Sequence, residues 1–280
     1  MSPVISVIMT TYNEDKDNFI KCIDSVLNQT YKAFELILVF EPGDVNLEFI
    51  TTHTSKDDRV KIIANKEKMG FVKSLNIGIS YATGKYMARI DSDDFCELSR
   101  FEKQVKYLEA HPNIDVLGTN LTLIDKYNNV ISKRKYKTDH KGIKKSFLFT
   151  TGVAHPSIML RMEVLQKFGA YNEEFTCSED LELWLRLIRN KCLFANIDEH
   201  LVNYRVLDIE ESRNELHWKF NFKARFKHVP YLWNPIYASV SIMAFKVFSM
   251  LSVQTRSQLA GSKLLSGLKG KKEIKIETNN

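Results

Sequence analysis

A chain of 280 residues with 44% hydrophobic and 26% charged residues can build a large globular core, and its 11 glycines and 6 prolines are too few for a linker-rich array. The net charge of +6 sits in a tail: from Arg213 onward there are 12 Lys and Arg against 3 Asp and Glu, which points to an anionic partner there. Four cysteines (Cys22, Cys96, Cys177, Cys192) make no C-x-x-C pair and no signal peptide is legible near Pro3, so a cytosolic chain with free thiols is expected.

The first half alternates strand and helix signals. Residues 4–9 are a short continuous apolar run, the pattern of a strand buried on both faces. Residues 15–28 have helical spacing, with Phe19, Ile23 and Val26/Leu27 on one stripe. A second buried strand is read at 35–40, a helix near 45–54, a third strand at 60–64, a helix at 71–82 closed by Gly84, and a fourth strand at 85–90. Such alternation predicts an α/β fold with a central, mostly parallel sheet flanked by helices.

Beyond residue 99 the pattern is mixed. It reads as a helix to about residue 111, strands around 115–125 with a turn at 126–129, and a strongly basic, partly irregular stretch at 131–145. A strand at 157–160, helices at 162–168 and 178–190, and strands at 192–197 and 201–205 follow. We expect a main domain over residues 1–210, divided into a nucleotide-binding half (1–98) and an acceptor-binding half (99–210), with a basic helical region at 211–280.

Ligands of such sheets bind beyond the carboxyl ends of the strands. Thr10-Thr11-Tyr12-Asn13 follows the first strand, Glu41-Pro42-Gly43-Asp44 the second and Asp91-Ser92-Asp93-Asp94 the fourth, so three polar clusters share one rim. The last holds three carboxylates, a costly grouping unless Mg²⁺ or Mn²⁺ and a diphosphate share it; the alternative is a solvated acidic turn. Tyr12 offers a flat face to a base, or covers the sheet end. Glu41 can accept a base N–H, or is a turn acid before Pro42.

Glu179-Asp180 opens an otherwise apolar helix on which Asp180, Trp184 and Leu187 share a face. A carboxylate beside an apolar wall suits a general base, whereas a first-turn acid also complements the helix dipole. His155 has no second histidine at metal-site spacing, so zinc is not expected. No G-x-G-x-x-G or G-K-[ST] loop supports dinucleotide or Walker-type binding.

Together, V-I-S-V-I-M-T-T-Y-N-E, the stretch from Asn65 to Tyr86, M-A-R-I-D-S-D-D, R-F-E-K-Q-V-K-Y-L-E, H-P-S-I-M-L-R and S-E-D-L-E-L-W-L-R-L resemble family 2 glycosyltransferases of the GT-A fold. The resemblance spans roughly residues 3–205, with the motifs in the family's order, and evokes bacterial transferases of capsule, exopolysaccharide and O-antigen assembly. It implies an inverting transfer from a nucleotide-sugar, most readily a UDP-sugar, to a glycan or lipid-pyrophosphate-linked acceptor. Tyr12 would stack on uracil, with Thr10, Thr11, Asn13, Glu41 and Lys73 also on the nucleotide-sugar. Asp91 and Ser92 would contact the donor, and Asp93, with Asp91 beside it, would hold Mn²⁺ or Mg²⁺. Asp180 would be the base, Glu179 would orient the acceptor, and His155 and Trp184 would lie on the acceptor side. The chain departs from the pattern at Phe40-Glu41-Pro42-Gly43, where the family has D-D-G-S, and at Val206-Leu207, where many relatives carry a metal-contacting His.

Residues 235–253 are too polar for a clear membrane span and very apolar for an exposed helix. Flanked by Lys219, Lys223, Arg225, Lys227, Arg256, Lys263, Lys269, Lys271 and Lys272, this segment can lie at a membrane surface on the cytoplasmic side, pack on the domain or form a dimer contact. Two other classes remain to be separated: a nucleotidyltransferase on a similar sheet, and a non-enzymatic basic-tailed membrane-binding module. No main-domain strand interleaves aromatic and basic residues, so a nucleic-acid partner is not expected.

Overall fold

The computed structural model describes residues 4–206, 215–251 and 255. Strands β1 (Ile5–Thr11) and β2 (Phe34–Phe40) are buried along nearly their whole length, and their side chains alternate between two cores. Ile5, Val7, Met9, Leu36, Leu38 and Phe40 face one core, and Ile8, Ile37 and Val39 face the other. Helix α1 (Lys16–Leu27) covers the first core with Phe19, Cys22, Ile23 and Val26. Its first turn is fixed by the Asp15 carboxylate, which accepts the Asn18 N–H at 3.0 Å.

α2 (Leu47–Thr54), β3 (Val60–Ala64), α3 (Phe71–Ser80) and β4 (Tyr86–Arg89) complete the first half. α3 covers the second core with Val72 and Leu75. It lies so close to the sheet that a Cβ on Gly78 would come within 2.7 Å of Ile8 Cγ2. β1 pairs in parallel with β2 and β4, and β2 with β3, as the alternation predicts.

The second half adds β5 (Phe95–Cys96), α4 (Arg100–Ala110), β6 (Val116–Ile124), β7 (Val130–Arg134), α5 (His140–Ser146), β8 (Met159–Arg161), α6 (Met162–Phe168), α7 (Glu179–Arg189) and β9 (Phe194–Arg205). Among the described residues, nine strands form one sheet in the order β3-β2-β1-β4-β8-β6-β9-β5, with β7 beside β6. β8 is antiparallel to β4 and β6, β9 is parallel to β6, and β5 and β7 are antiparallel to their partners. β1 to β4, β6 and β9 therefore run one way, and the sheet is mostly parallel.

The basic stretch at 131–145 is irregular at 135–139 as expected, between β7, which pairs with β6, and α5, which is capped by the Asp139 carboxylate accepting Gly142 N–H at 2.9 Å. Two local expectations are revised. The strand expected at 157 begins at Met159, because His155–Ser157, with Pro156 inside it, is a 3₁₀ turn. The two strands expected at 192–197 and 201–205 are one 12-residue strand. Its register against β6 shifts twice between Ile197 and Val202, passing over Asp198 and Glu199 and then Leu201. β5, only two residues long, carries no periodic signal to read.

α8 (Glu215–His228) and α9 (Pro235–Met250) follow, joined by a 3₁₀ turn at Val229–Tyr231. α8 packs against α7 and α9, and Ala224, Val229 and Ala238 belong to the core that α7 builds. Arg225 is buried and donates to Phe147 O, Thr150 O and Asn221 Oδ1, tying α8 to the segment after α5. α9 buries only Ala238, Ser241 and Phe245 on the domain. Val253, Arg256, Lys263, Lys269, Lys271 and Lys272 lie outside the described residues.

Candidate functional site

The carboxyl ends of β1, β2 and β4 bring the three polar clusters to one rim. Thr10 is half-buried in β1, and Thr11 donates to Asp44 Oδ2 at 3.2 Å. Tyr12 is 46% exposed, with Lys68 Nζ 5.0 Å from the centre of its ring. Asn13 turns the chain through the left-handed region at φ 56° and accepts Val45 N–H at 3.0 Å. Lys73 is exposed on the first turn of α3.

Glu41 does something other than wait for a base. Its Oε1 accepts from Ser74 Oγ at 2.5 Å, Gly70 N at 3.0 Å and Asn65 Nδ2 at 3.2 Å, and its Oε2 accepts from Met69 N at 2.9 Å. The carboxylate pins the β3–α3 loop, where Gly70 adopts φ 79°, and little of its accepting capacity is left for a ligand.

The acidic tetrad is not a solvated turn. Ser92 is 4% exposed and Asp94 0%. Ser92 Oγ donates to Glu14 Oε1 at 2.9 Å. Asp94 Oδ1 accepts the Arg205 backbone N–H at 2.7 Å, while its Oδ2 is buried without a hydrogen-bond partner. The Arg205 guanidinium donates to Asp93 O at 3.0 Å, to Asp125 O at 2.8 Å and to Asn128 Oδ1 at 2.8 Å, so the end of β9 straps the tetrad loop to the β6–β7 turn. Asp91 is ion-paired with Arg89.

Burial, with Asp91 and Glu14 close by, pushes the Asp93 carboxyl up to about 7. Burial and the neighbouring acids Asp91, Asp44 and Asp15 raise Glu14 as well, against the hydrogen bond from Ser92. Burial, Asp91 and Asp93 also hold Asp94 well above its ordinary value. The Arg205 charge only partly offsets this concentration of acidic oxygens, which suits a hard divalent cation. Among the described residues no three or more His, Cys, Asp and Glu side chains converge into a complete cage. A cation here would fill its shell with ligand or water oxygens, as Mg²⁺ and Mn²⁺ do beside phosphates.

Across the rim, Ser178 enters α7 in the left-handed region at φ 56°, and Glu179 and Asp180 form its first turn. Burial pushes both carboxyls up. Asp180 adds to the effect on Glu179, Asp91 adds to both, and Arg89 opposes it. Asp180 Oδ1 accepts Leu181 N–H at 2.7 Å. His155 Nε2 meets Tyr171 Oη at 2.6 Å, and its Nδ1 lies 3.7 Å from Glu179 Oε1. Burial and the Arg89 charge hold His155 well below its ordinary value, so the ring is neutral. It backs Glu179 from beneath, with its side chain 10% exposed.

Trp184 corrects an expectation. It is 0% exposed and lies edge-on to His155 and Phe194 inside the core, so no acceptor can touch it. Its spacing from Asp180 is a packing stripe that holds α7 in place.

Arg89 was missed by sequence reasoning. At 3% exposure it pairs with Asp91, lies 5.4 Å from the Phe71 ring centre, and bears electrostatically on Glu179, Asp180, His155 and Tyr171. It is thus the positive charge between the two acidic groups. The signal was present: an arginine inside an otherwise apolar, fully buried strand must have partners. Glu14 adjoins Tyr12-Asn13 and could have been read as part of that cluster. Tyr171 and Arg205 carry no such local mark.

Set against known proteins, residues 6–169 match the sequence profile described as Glycosyl transferase family 2. A glycosyltransferase of Methanocaldococcus jannaschii is 33% identical over 265 residues, covering 88% of this chain and 90% of its own. The O-antigen biosynthesis glycosyltransferase WbnJ of Escherichia coli is 36% identical over 212 residues, covering 72% and 80%. S. aureus TarS in complex with UDP-GlcNAc superposes with a TM-score of 0.70 at 16% identity, over 96% of this chain and 78% of that one.

Proposed function

This chain belongs to glycosyl transferase family 2 and has the GT-A fold, and from that premise we propose an inverting hexosyl- or N-acetylhexosaminyltransferase that moves a sugar from a UDP-sugar to a hydroxyl of a lipid-linked or growing bacterial surface glycan. The reading rests on one observation. A buried acid cluster around Asp93 faces a second pair, Glu179 and Asp180, and Arg89 lies between them. One group suits a departing diphosphate and the other an incoming hydroxyl. TarS, whose complex contains UDP-GlcNAc, supports a UDP-sugar donor, and WbnJ, named for O-antigen biosynthesis, supports a glycan acceptor.

In this mechanism Tyr12 stacks on the base, with Lys68 near its ring. Asp93, with Asp91 beside it, would hold Mg²⁺ or Mn²⁺, and the ion would supply positive charge for a leaving diphosphate. Asp180 takes the proton of the acceptor hydroxyl, its raised basicity suiting that role. Glu179, backed by His155, orients the acceptor. A single in-line displacement between these groups inverts the anomeric carbon. A lipid-linked acceptor would be met at the cytoplasmic face of a membrane, with the enzyme peripheral to it. Residues 1–98 serve the nucleotide, 99–210 the acceptor, and 211–280 the surroundings.

The experiment is UDP release from a panel of UDP-sugars with Mn²⁺ or Mg²⁺, alongside thermal stabilisation by each donor. Activity that survives Asp93→Ala would refute the assigned metal site. Pyrophosphate release from a nucleoside triphosphate would indicate nucleotidyl transfer instead. Membrane binding with no nucleotide-sugar affinity would favour the non-enzymatic module.

A further inference from the structure

The outer face of α9 has no counterpart in the transfer chemistry. The helix buries Ala238, Ser241 and Phe245 and turns Ile236, Val240, Met243, Val247 and Met250 outward, each between 51% and 78% exposed. At about 100° per residue those five lie within an arc of about 80°, centred almost opposite the buried side. Tyr237 at 58% exposure widens the apolar face on one flank, and the exposed Lys246 lies on the other. α8, packed against α9, exposes Leu216 and Phe226 among Lys219, Lys223 and Lys227. A stripe this continuous on a water-facing helix is a docking surface.

We propose that the α9 face docks on an anionic lipid surface, lying in the headgroup boundary with Lys246 reaching toward lipid phosphates. Among the described residues no helix is long and apolar enough to cross a membrane, and one side of α9 is committed to the domain, so the contact is a face and not a span. Charge selects lipid over a second copy of this chain. α9 contains one charged residue, Lys246, and no acid, and the chain from Arg213 onward carries 12 Lys and Arg against 3 Asp and Glu. That excess is attracted to anionic headgroups. A self-paired α9 would have no opposite charges beside its seam, and the 4-3-4-3 spacing lasts only about two heptads, short of the three or four that sustain a coiled coil. The inference deepens the membrane-side reading of the acceptor given above, but its test does not depend on sugar transfer.

The test is co-sedimentation of the full chain, without donor, on phosphatidylglycerol–phosphatidylcholine vesicles and on phosphatidylcholine alone. Binding should require the anionic lipid and weaken as salt rises. Met243→Glu with Val247→Glu should lower binding at least about tenfold, with an unchanged thermal midpoint and unchanged UDP release. Binding that ignores these substitutions overturns the proposal, as does binding to neither vesicle. Sedimentation equilibrium showing a stable dimer that dissociates in the double variant would assign the face to a second copy. UDP release with no vesicle binding would remove this inference alone, whereas vesicle binding with no UDP release would remove only the enzymatic reading.

Discussion

Replacing Glu182 by glutamine tests what anchors the helix that carries Glu179 and Asp180. Glu182 is 0% exposed and accepts from Arg186 Nε at 3.1 Å, His228 Nε2 at 3.2 Å and Lys227 Nζ at 3.4 Å, so it joins α7 to α8. Burial alone would raise its carboxyl, but the bonds from His228 and Arg186 outweigh it and bring the group to about 2, against an ordinary 4.5. At full strength that difference is worth about 3 kcal/mol; with water screening Lys227 and Arg186, we expect about 2 kcal/mol. The folded value lies below the unfolded one. The contribution is therefore complete above about pH 4.5 and disappears as pH falls toward 2. Urea unfolding followed by tryptophan fluorescence, at a series of pH values, should show the variant about 2 kcal/mol less stable at neutral pH. The two proteins should converge on acidification, with acid-sensitive groups common to both cancelling in the difference. A gap that stays constant with pH, or no gap at neutrality, would refute the reasoning.

Asp93 has the opposite sign: its carboxyl is raised from 3.8 to about 7, so the metal-free protein should lose stability as pH rises through that interval. Mn²⁺ should restore it, and Asp93→Asn should remove the Mn²⁺ effect and lessen the pH dependence in thermal melts, the raised Asp94 and Glu179 carboxyls acting in the same sense; a flat melting temperature in EDTA would sink the idea. Asp180→Asn should leave donor affinity intact and lower turnover by about 10² to 10⁴, measured as UDP release beside thermal-shift titration; parallel loss of folding would assign Asp180 a helix-end role instead. Gly84→Ala would set a Cβ 2.7 Å from Ser6 N and 2.8 Å from Ile5 C, backbone atoms that cannot yield, and should cost about 2 to 3 kcal/mol in urea unfolding.

Much of the first half was legible because its signals are local. β1 and β2 are continuous apolar runs between polar clusters, and the rim follows from the direction of parallel strands. The second half was harder. β9 could not be seen as one strand because D-E-H interrupts its apolar pattern, and only the register shift against β6 explains how those residues stay within it. Glu41 and Trp184 show the limit at the site. Both residue types suit their expected roles, but Glu41 found four donors in the β3–α3 loop and the start of α3, and Trp184 met a core that no nearest-neighbour spacing distinguishes from a cleft wall. Arg89 was readable in principle, whereas Arg205 depends on β9 ending beside β5 and the tetrad, a fact of topology.

β9 also sets a length. It starts just after the helix bearing Asp180 and ends at Arg205, whose backbone and side chain grip the tetrad loop. At about 3.3 Å per residue its 12 residues act as a ruler from the C-terminal end of α7 to the tetrad loop. Deleting one residue would shorten the ruler by a single rise and turn every later side chain to the opposite face of the sheet, taking the Arg205 guanidinium away from Asp93. Losses and gains in pairs would keep the faces, and the three residues already passed over, Asp198, Glu199 and Leu201, are where the strand has room to absorb such a change. The grip of Arg205 on the tetrad loop is thus tied to the parity of β9 beyond that bulge.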